Sequence, residues 1–552
     1  METLKAHACR CLFYPHFYRL YLASFLLSII GIHQNQKLLE IMLKKDLQFH
    51  GVFLVCLLYY LYAHTTCTKI NQTVYRYPYK YININSYSIY MSIFLFTRDF
   101  RLYDNTALIE CCKKNNDVIP LFIFTPEQIS NNTYKADNAV QFMIESIEEV
   151  KKNIPLNLIY GDIKETLSSI IDKYSVKSIY MNTDYTPYAK KRDSLIKSIS
   201  KKHKIKFNRY HDHCLLEPDF LKTKSKTPYQ VFSPYARAHM NHTYQTPNNQ
   251  RINFKNFKEI ELDSGISLDD TKKFYTHNPN LHINGGRLEG LKQLKRIQDG
   301  EHEKYSERRD KFDYNSTFLS AYLKFGCISV RETYKVISDT YYHEHPLVRQ
   351  LVWRDFYIQI GHHFPHVITG NDKNKHALKD KYNNIVWNHH ENSDKLLEAW
   401  KNAETGVPII DACMRQLNQT GYMPNRGRLL TASYLIKILF IDWREGEKYF
   451  ATKLIDYDPL VNNGNWQWVA GSGADNDIYN RIFNPWKQGK DHDPMAYYIK
   501  KWIPELKGIT HIDIHKWNEK YNSFRRQTKY HKPIVNFEKF RDISKNLYKK
   551  YL

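Results

Sequence analysis

Tryptophan is missing from the first 352 residues of this 552-residue chain. All nine stand at or beyond Trp353, so the chain has at least two regions of different character. Cysteine is also sparse, nine in all and none in a C-x-x-C pair. That excludes a disulfide scaffold and a zinc ribbon, makes a reducing compartment the default, and leaves no metal site expected. Glycine and proline, 20 of each, are too few for a fibrous or low-complexity chain, while 42% hydrophobic residues suit folded domains. The apolar runs Leu20–Ile32 and Val52–Ala63 are only 13 and 12 residues long. A membrane-spanning helix needs roughly 20. Arg19 precedes the first run, but no small-x-small cleavage site follows it. Acidic residues are in deficit: 57 Asp and Glu against 80 Lys and Arg, a formal charge of +23. Such an excess fits a polyanion partner, nucleic acid or an anionic membrane.

The length exceeds one core and allows two or three. Residues 1–90 read as a poorly ordered or spurious extension, ending in the Tyr/Asn/Ile-rich stretch Tyr75–Tyr90 just before Met91. They hold nine basic and three acidic residues, so of the +23 the remaining 462 residues carry +17. From 91 to 215 short apolar runs (Ser92–Thr97, Val118–Phe124, Leu156–Tyr160, Lys177–Met181) alternate with amphipathic stretches (Asn138–Lys151, Glu165–Tyr174). This pattern predicts a parallel sheet covered by helices on both faces. The first loop, Arg98-Asp99-Phe100-Arg101, lacks the glycines of a dinucleotide fingerprint, which argues against an NAD site. Arg98 and Asp99 either pair and cap the next helix or sit below a small cofactor.

Residues 216–280 read as an irregular interdomain connection with one aromatic patch, Pro228–Tyr235. Residues 281–552 read as helical. Leu288, Leu291, Leu294 and Ile297 recur at steps of three, taken as a buried stripe, and Leu347–Ile360, Asp394–Asn402, Ile409–Asn418, Arg428–Phe440 and Gly446–Leu454 have helical period and length. Within this half, Ser316, Thr317 and Ser320 put three hydroxyls at the start of an apolar helix, either an ordinary N-cap or a phosphate seat, with Arg309 upstream as a cation. From Asp456 to Trp468 two acids, four amides and two tryptophans crowd together. That is a structural polar network, or the rim of a buried planar heterocycle. Trp353 and Trp468, with Arg354, Arg426 and Gln488, suit a cavity that stacks nucleobases and holds their phosphates.

Eight motifs, in order over about 460 residues, resemble the photolyase/cryptochrome flavoproteins, most closely the class I cyclobutane pyrimidine dimer photolyases. They are FTRDFRLYDNTAL (Phe96–Leu108), GGRLEGL (Gly285–Leu291), STFLSAYLKFGCIS (Ser316–Ser329), VWRDFY (Val352–Tyr357), TGVPIIDACMRQLNQTGYMPNRGRL (Thr405–Leu429), IDWREGEKYF (Ile441–Phe450), DYDPLVNNGNWQW (Asp456–Trp468) and RIFNPWKQG (Arg481–Gly489). The resemblance implies an α/β fold class: an N-terminal Rossmann-like parallel-sheet domain followed by an all-helical FAD-binding domain.

The same resemblance implies one FAD per chain. Tyr305, Ser316, Thr317, Phe318, Leu319 and Ser320 would hold its diphosphate side; Arg309, Arg428, Asp456, Tyr457 and Asp458 would border flavin and adenine. Asn462 matches the position facing flavin N5, where a neutral amide tolerates the anionic hydroquinone that a carboxylate would repel. Trp466, Trp443 and Trp387 match a three-tryptophan electron relay from the flavin outwards. Gln350, Trp353, Arg354, Asn425, Arg426, Leu429, Trp468 and Gln488 match positions that meet the lesion or its DNA strand. Gln350, Leu429 and Pro424 stand where dimer-repair enzymes commonly have Glu, Met and His. The histidine pair of the (6-4) enzymes is absent, its places held by Asn425 and Leu429.

The implied function is light-driven repair of cyclobutane pyrimidine dimers in DNA by electron transfer from excited FADH⁻, with a cryptochrome-like photoreceptor as the alternative. A folate antenna is disfavoured, because its Asn-Glu pair aligns with Tyr188 and Ala189; a deazaflavin, a second flavin or no antenna remain open. Damaged DNA is the expected partner, with no obligate protein partner, no membrane, a monomeric state, and an intracellular location, nuclear or cytoplasmic, wherever the DNA is.

Overall fold

Near-continuous β-branched and aromatic runs favour strands, and here they assemble a parallel sheet. A computed structural model describes residues 90–552 apart from 371, 372, 374 and 476–480. Except for Tyr90, the extension assigned to residues 1–90 lies outside the described residues. Strands β1 (Met91–Leu95), β2 (Val118–Phe124), β3 (Asn157–Tyr160), β4 (Val176–Asn182) and β5 (Lys206–Tyr210) pair in parallel in the order β3-β2-β1-β4-β5. Register runs from Ser92 opposite Val118 to Leu95 opposite Leu121, and from Ser92 opposite Ser178 to Phe94 opposite Tyr180.

Alternation of side chains along β1 sends Phe94 to one face and Ile93 and Leu95 to the other. Helices α1 (Thr106–Lys114) and α2 (Asp137–Asn153) cover the first face; α3 (Ile163–Lys173) and α4 (Pro187–Lys202) cover the second. The first face also packs against the helical half, because Leu294, Leu319, Tyr322 and Leu351 join its apolar cluster. Gly285 makes that approach feasible: a Cβ there would meet the Phe142 carbonyl oxygen at 2.1 Å.

The carboxyl ends of β1 and β4 mark the switch point of the sheet, the place where such folds bind ligands. In this chain ion pairs that join the two halves fill it. Arg98 pairs with Asp184 at 3.6 Å and with Asp458 at 2.5 Å, and it also bonds the His213 ring. Arg98 therefore does not pair with Asp99, and α1 is capped by Asn105 instead. Beside it, Arg101 and Arg331 clamp Asp212 at 2.5 and 2.7 Å, and Arg331 reaches Asp104 at 3.0 Å.

The segment 216–280 is not wholly irregular. Its aromatic patch begins helix α5 (Phe232–Met240), which packs on the later helix α8 (Pro346–His363) through Phe232, Tyr235 and Ala236. The helices between them include α6 (Arg287–Gln298) and α7 (Leu319–Lys324). The stripe expected along α6 is only half right, since Leu294 and Ile297 are buried but Leu288 is 64% exposed. Nine residues at about 100° each carry Leu288 to the face opposite Ile297. The helices that follow include α9 (Ser393–Lys401), α10 (Pro408–Thr420), α11 (Asn425–Lys437), α12 (Trp443–Ala451), α13 (Pro459–Ala470) and α14 (Pro485–His492). Among the described residues, no helix is long and apolar enough to cross a membrane.

Candidate active site

One cavity of about 540 Å³ opens among α7, α8, α11, α13 and the loops between them. This lies within the range of about 300–1,000 Å³ usual for cofactor and ligand sites. On one side are Tyr305, Arg309 and the run Ser316 to Ser320. Phe318, which caps α7, takes φ = 52°, a left-handed conformation rare for an aromatic residue. It brings the preceding hydroxyls to the wall. Among the described residues the side chains of Arg309, Ser316 and Thr317 have no protein hydrogen-bond or ion-pair partner, an available cation with two hydroxyls. That is the chemistry of an anion seat.

Opposite, the amino end of α11 supplies Asn425, Arg426, Arg428 and Leu429, and the loop before α13 supplies Asp456, Tyr457 and Asp458. Arg428 Nη2 donates to both oxygens of Asp456, at 3.0 Å each, and its Nε donates to the Met423 carbonyl at 2.9 Å. Burial pushes the Asp456 carboxyl up, but Arg428, the Ser320 hydroxyl and Lys324 together hold it below its ordinary value. Asp458 caps α13 by accepting from the Leu460 and Val461 amides at 3.0 and 3.3 Å, and its other oxygen takes Arg98. Burial raises its pKa too, and Arg98 and Arg354 outweigh that.

Helix α13 presents Asn462, Trp466 and Trp468 to the cavity, and α8 presents Gln350, Trp353 and Arg354. Trp353 is held by α5: the Phe232 ring stacks on it at 3.4 Å, nearly parallel. Arg354 turns towards the sheet, donating to the His213 carbonyl at 2.5 Å and to its ring at 2.6 Å. Arg426 pairs with Asp310 at 2.5 Å and reaches Gln488 at 3.3 Å. Gln488, on α14, does not itself line the cavity. Neither do Trp443, which belongs to the apolar cluster that holds Trp466, and Trp387, which packs against that cluster. Trp387 packs on Phe440 at 5.2 Å, half-buried.

Three residues escaped the sequence reading. Glu447, on α12, accepts from Asn462 Nδ2 at 3.0 Å and from the Tyr457 hydroxyl at 3.2 Å. Burial pushes its pKa from 4.5 to about 7. An acid one turn from Trp443 on an otherwise apolar helix face was the available signal. Lys324 also lines the cavity, and burial, aided by Arg98, lowers its pKa to about 7 against the pull of Asp458 and Asp456. Trp400, on α9, is fully buried and meets Trp466 edge-on at 6.3 Å.

A family model described as the FAD binding domain of DNA photolyase matches residues 347–550, and one described as DNA photolyase matches residues 92–251. The deoxyribodipyrimidine photo-lyase of Buchnera aphidicola subsp. Baizongia pistaciae is 34% identical over 469 residues, 81% of this chain and 95% of that protein. A photolyase structure from Sulfolobus tokodaii, described as having two FAD molecules, is 37% identical with a TM-score of 0.73 and covers 83% of this chain and 100% of that one. A class III photolyase from Agrobacterium tumefaciens is 29% identical, TM-score 0.75, over 84% of this chain and 98% of that one.

Proposed function

Since this chain belongs to the DNA photolyase family, we propose that it repairs cyclobutane pyrimidine dimers in DNA, with FAD bound in the helical cavity. The observation that carries this reading is one continuous wall: the residues matched to the cofactor and, Gln488 apart, those matched to the lesion line the same 540 Å³ space. The reduced flavin, when bound, supplies a light-excited electron that opens the two inter-base bonds of the dimer and then returns.

The chain's own groups bind, orient and exclude. Arg309, Ser316 and Thr317 offer unpartnered donors for the diphosphate, and Phe318 and Leu319 shape that wall. The Arg428–Asp456 pair gives a neutral, hydrogen-bonding border to a flavin ring, so neither charge is left alone in the cavity. Asn462 gives its amide N–H to Glu447 and keeps its Oδ1 as an acceptor for a protonated ring nitrogen. On the open side Trp353 and Trp468 offer flat faces for bases flipped from the duplex, with Gln350 and Asn425 as hydrogen-bonding groups beside them. Arg426, next to Gln488, stands with Leu429 where strand and lesion would meet the cofactor. The +17 charge of residues 91–552 favours a phosphate backbone. A second chromophore is not needed for this chemistry.

The test is direct. Flavin-loaded, pre-reduced protein is mixed with an oligonucleotide carrying a thymine dimer and illuminated with blue light. Ultraviolet absorbance of intact thymine should return; no return under illumination defeats the proposal and leaves the photoreceptor reading.

A further inference from the structure

Away from the cavity, the last turn of α8 meets the segment that follows β5, and ligand-forming side chains converge there. His362 and His363 end α8, and both imidazoles turn to one carboxylate. His362 Nε2 is 3.1 Å from Asp219 Oδ2, and His363 Nε2 is 3.7 Å from Oδ1. Three potential ligand atoms thus lie within 4.8 Å of one another. The Pro218 carbonyl oxygen, 3.1 Å from His363 Nε2, adds a fourth candidate ligand atom at the same place. None of these residues lines the cavity.

The surroundings favour a cation. Asp219 brings negative charge, and the carboxyl end of the 18-residue helix α8 carries the negative end of its dipole. Lys190 already uses that end, donating to the His362 carbonyl at 2.7 Å. A tetrahedral zinc site spaces its ligand atoms about 3.3 Å apart. Asp219, with its side chain 62% exposed, is free to close the remaining gap by rotating.

We propose that Asp219, His362 and His363 bind one divalent transition-metal ion of the zinc class. Two imidazole nitrogens and one carboxylate select such an ion over magnesium or calcium, which prefer oxygen throughout. The ion pins the 211–219 segment, which leaves the sheet, to the end of α8, whose earlier turns carry Gln350 and Trp353. Its role is structural and separate from repair. The sequence offered no spacing for it, because Asp219 stands 143 residues before His362.

The test uses full-length, flavin-loaded protein freed of metal by dialysis against a chelator. Zn²⁺ is titrated by calorimetry, and Co²⁺ by visible absorption. One equivalent should bind with a Kd below about 1 µM, and bound Co²⁺ should give four-coordinate absorption bands. Asp219→Asn and His363→Ala should each weaken binding at least about tenfold and abolish the bands. Flavin absorption should stay unchanged, which shows that the variants fold. His389→Ala, in the other adjacent histidine pair, should bind as the parent does. No stoichiometric binding, binding indifferent to both substitutions, or equal weakening by His389→Ala would overturn the proposal.

Discussion

Glu447 illustrates how one buried acid governs its neighbours. Its carboxyl titrates near 7 in the fold and near 4.5 as an isolated group, chiefly because burial penalises its charge. Between those values the folded chain holds a proton that the unfolded chain has released. Stability from this group is therefore full below about pH 4.5 and falls as pH rises through 7. Glu447→Gln should flatten that slope and raise stability at pH 8 by on the order of 1–3 kcal/mol, read from thermal melting against pH. Trp466 permits a second prediction at this scale. It is buried, borders the cavity, and shares an apolar cluster with Trp443. Trp466→Phe should block light-driven reduction of bound oxidised flavin yet leave repair by chemically reduced protein largely intact. Loss of repair in the pre-reduced variant would assign Trp466 a structural or substrate role instead. Residue identity alone marked Trp466 and Asn462, through the motif around them; it missed Glu447, whose partner in space is fifteen positions away.

At the scale of elements, α13 depends on its first turn. Asp458 caps it, and the same carboxylate is the anchor for Arg98 from the end of β1. Asp458→Ala removes a cap, worth about 1 kcal/mol, and strips a buried guanidinium of a partner, worth roughly 3–5 kcal/mol. Asp184 remains near Arg98 and offsets part of that second loss. Chemical denaturation should show a net loss of about 3 kcal/mol or more, with weaker flavin retention because α13 carries Asn462 and Trp466. Element types were readable where period and burial agree: β2 spans the expected Val118–Phe124, and α10 and α12 lie within a few residues of their expected spans. Strand β5 and helix α4 were not readable. β5 is an edge strand whose residues stay partly exposed, and α4 is so rich in lysine and serine that few of its positions are apolar.

For the whole molecule, the described residues from 90 to 552 form one compact unit in which sheet and helices share a core. A chain that starts at Met91 should therefore keep its flavin and its melting temperature; failure to yield soluble flavin-loaded protein would show that the preceding residues matter to folding. The chain's periodicities and motifs by themselves determined the class of each half, the charge that suits DNA, and the residue types able to hold a flavin, because these properties are local or additive. Tertiary structure alone decided which groups meet. Arg98 and Asp458 are 360 residues apart in sequence, and Asp219 and His362 are 143 apart, yet each pair is in direct contact. Such contacts follow from how helices and sheet close over a common core, a many-body packing outcome that no local pattern encodes.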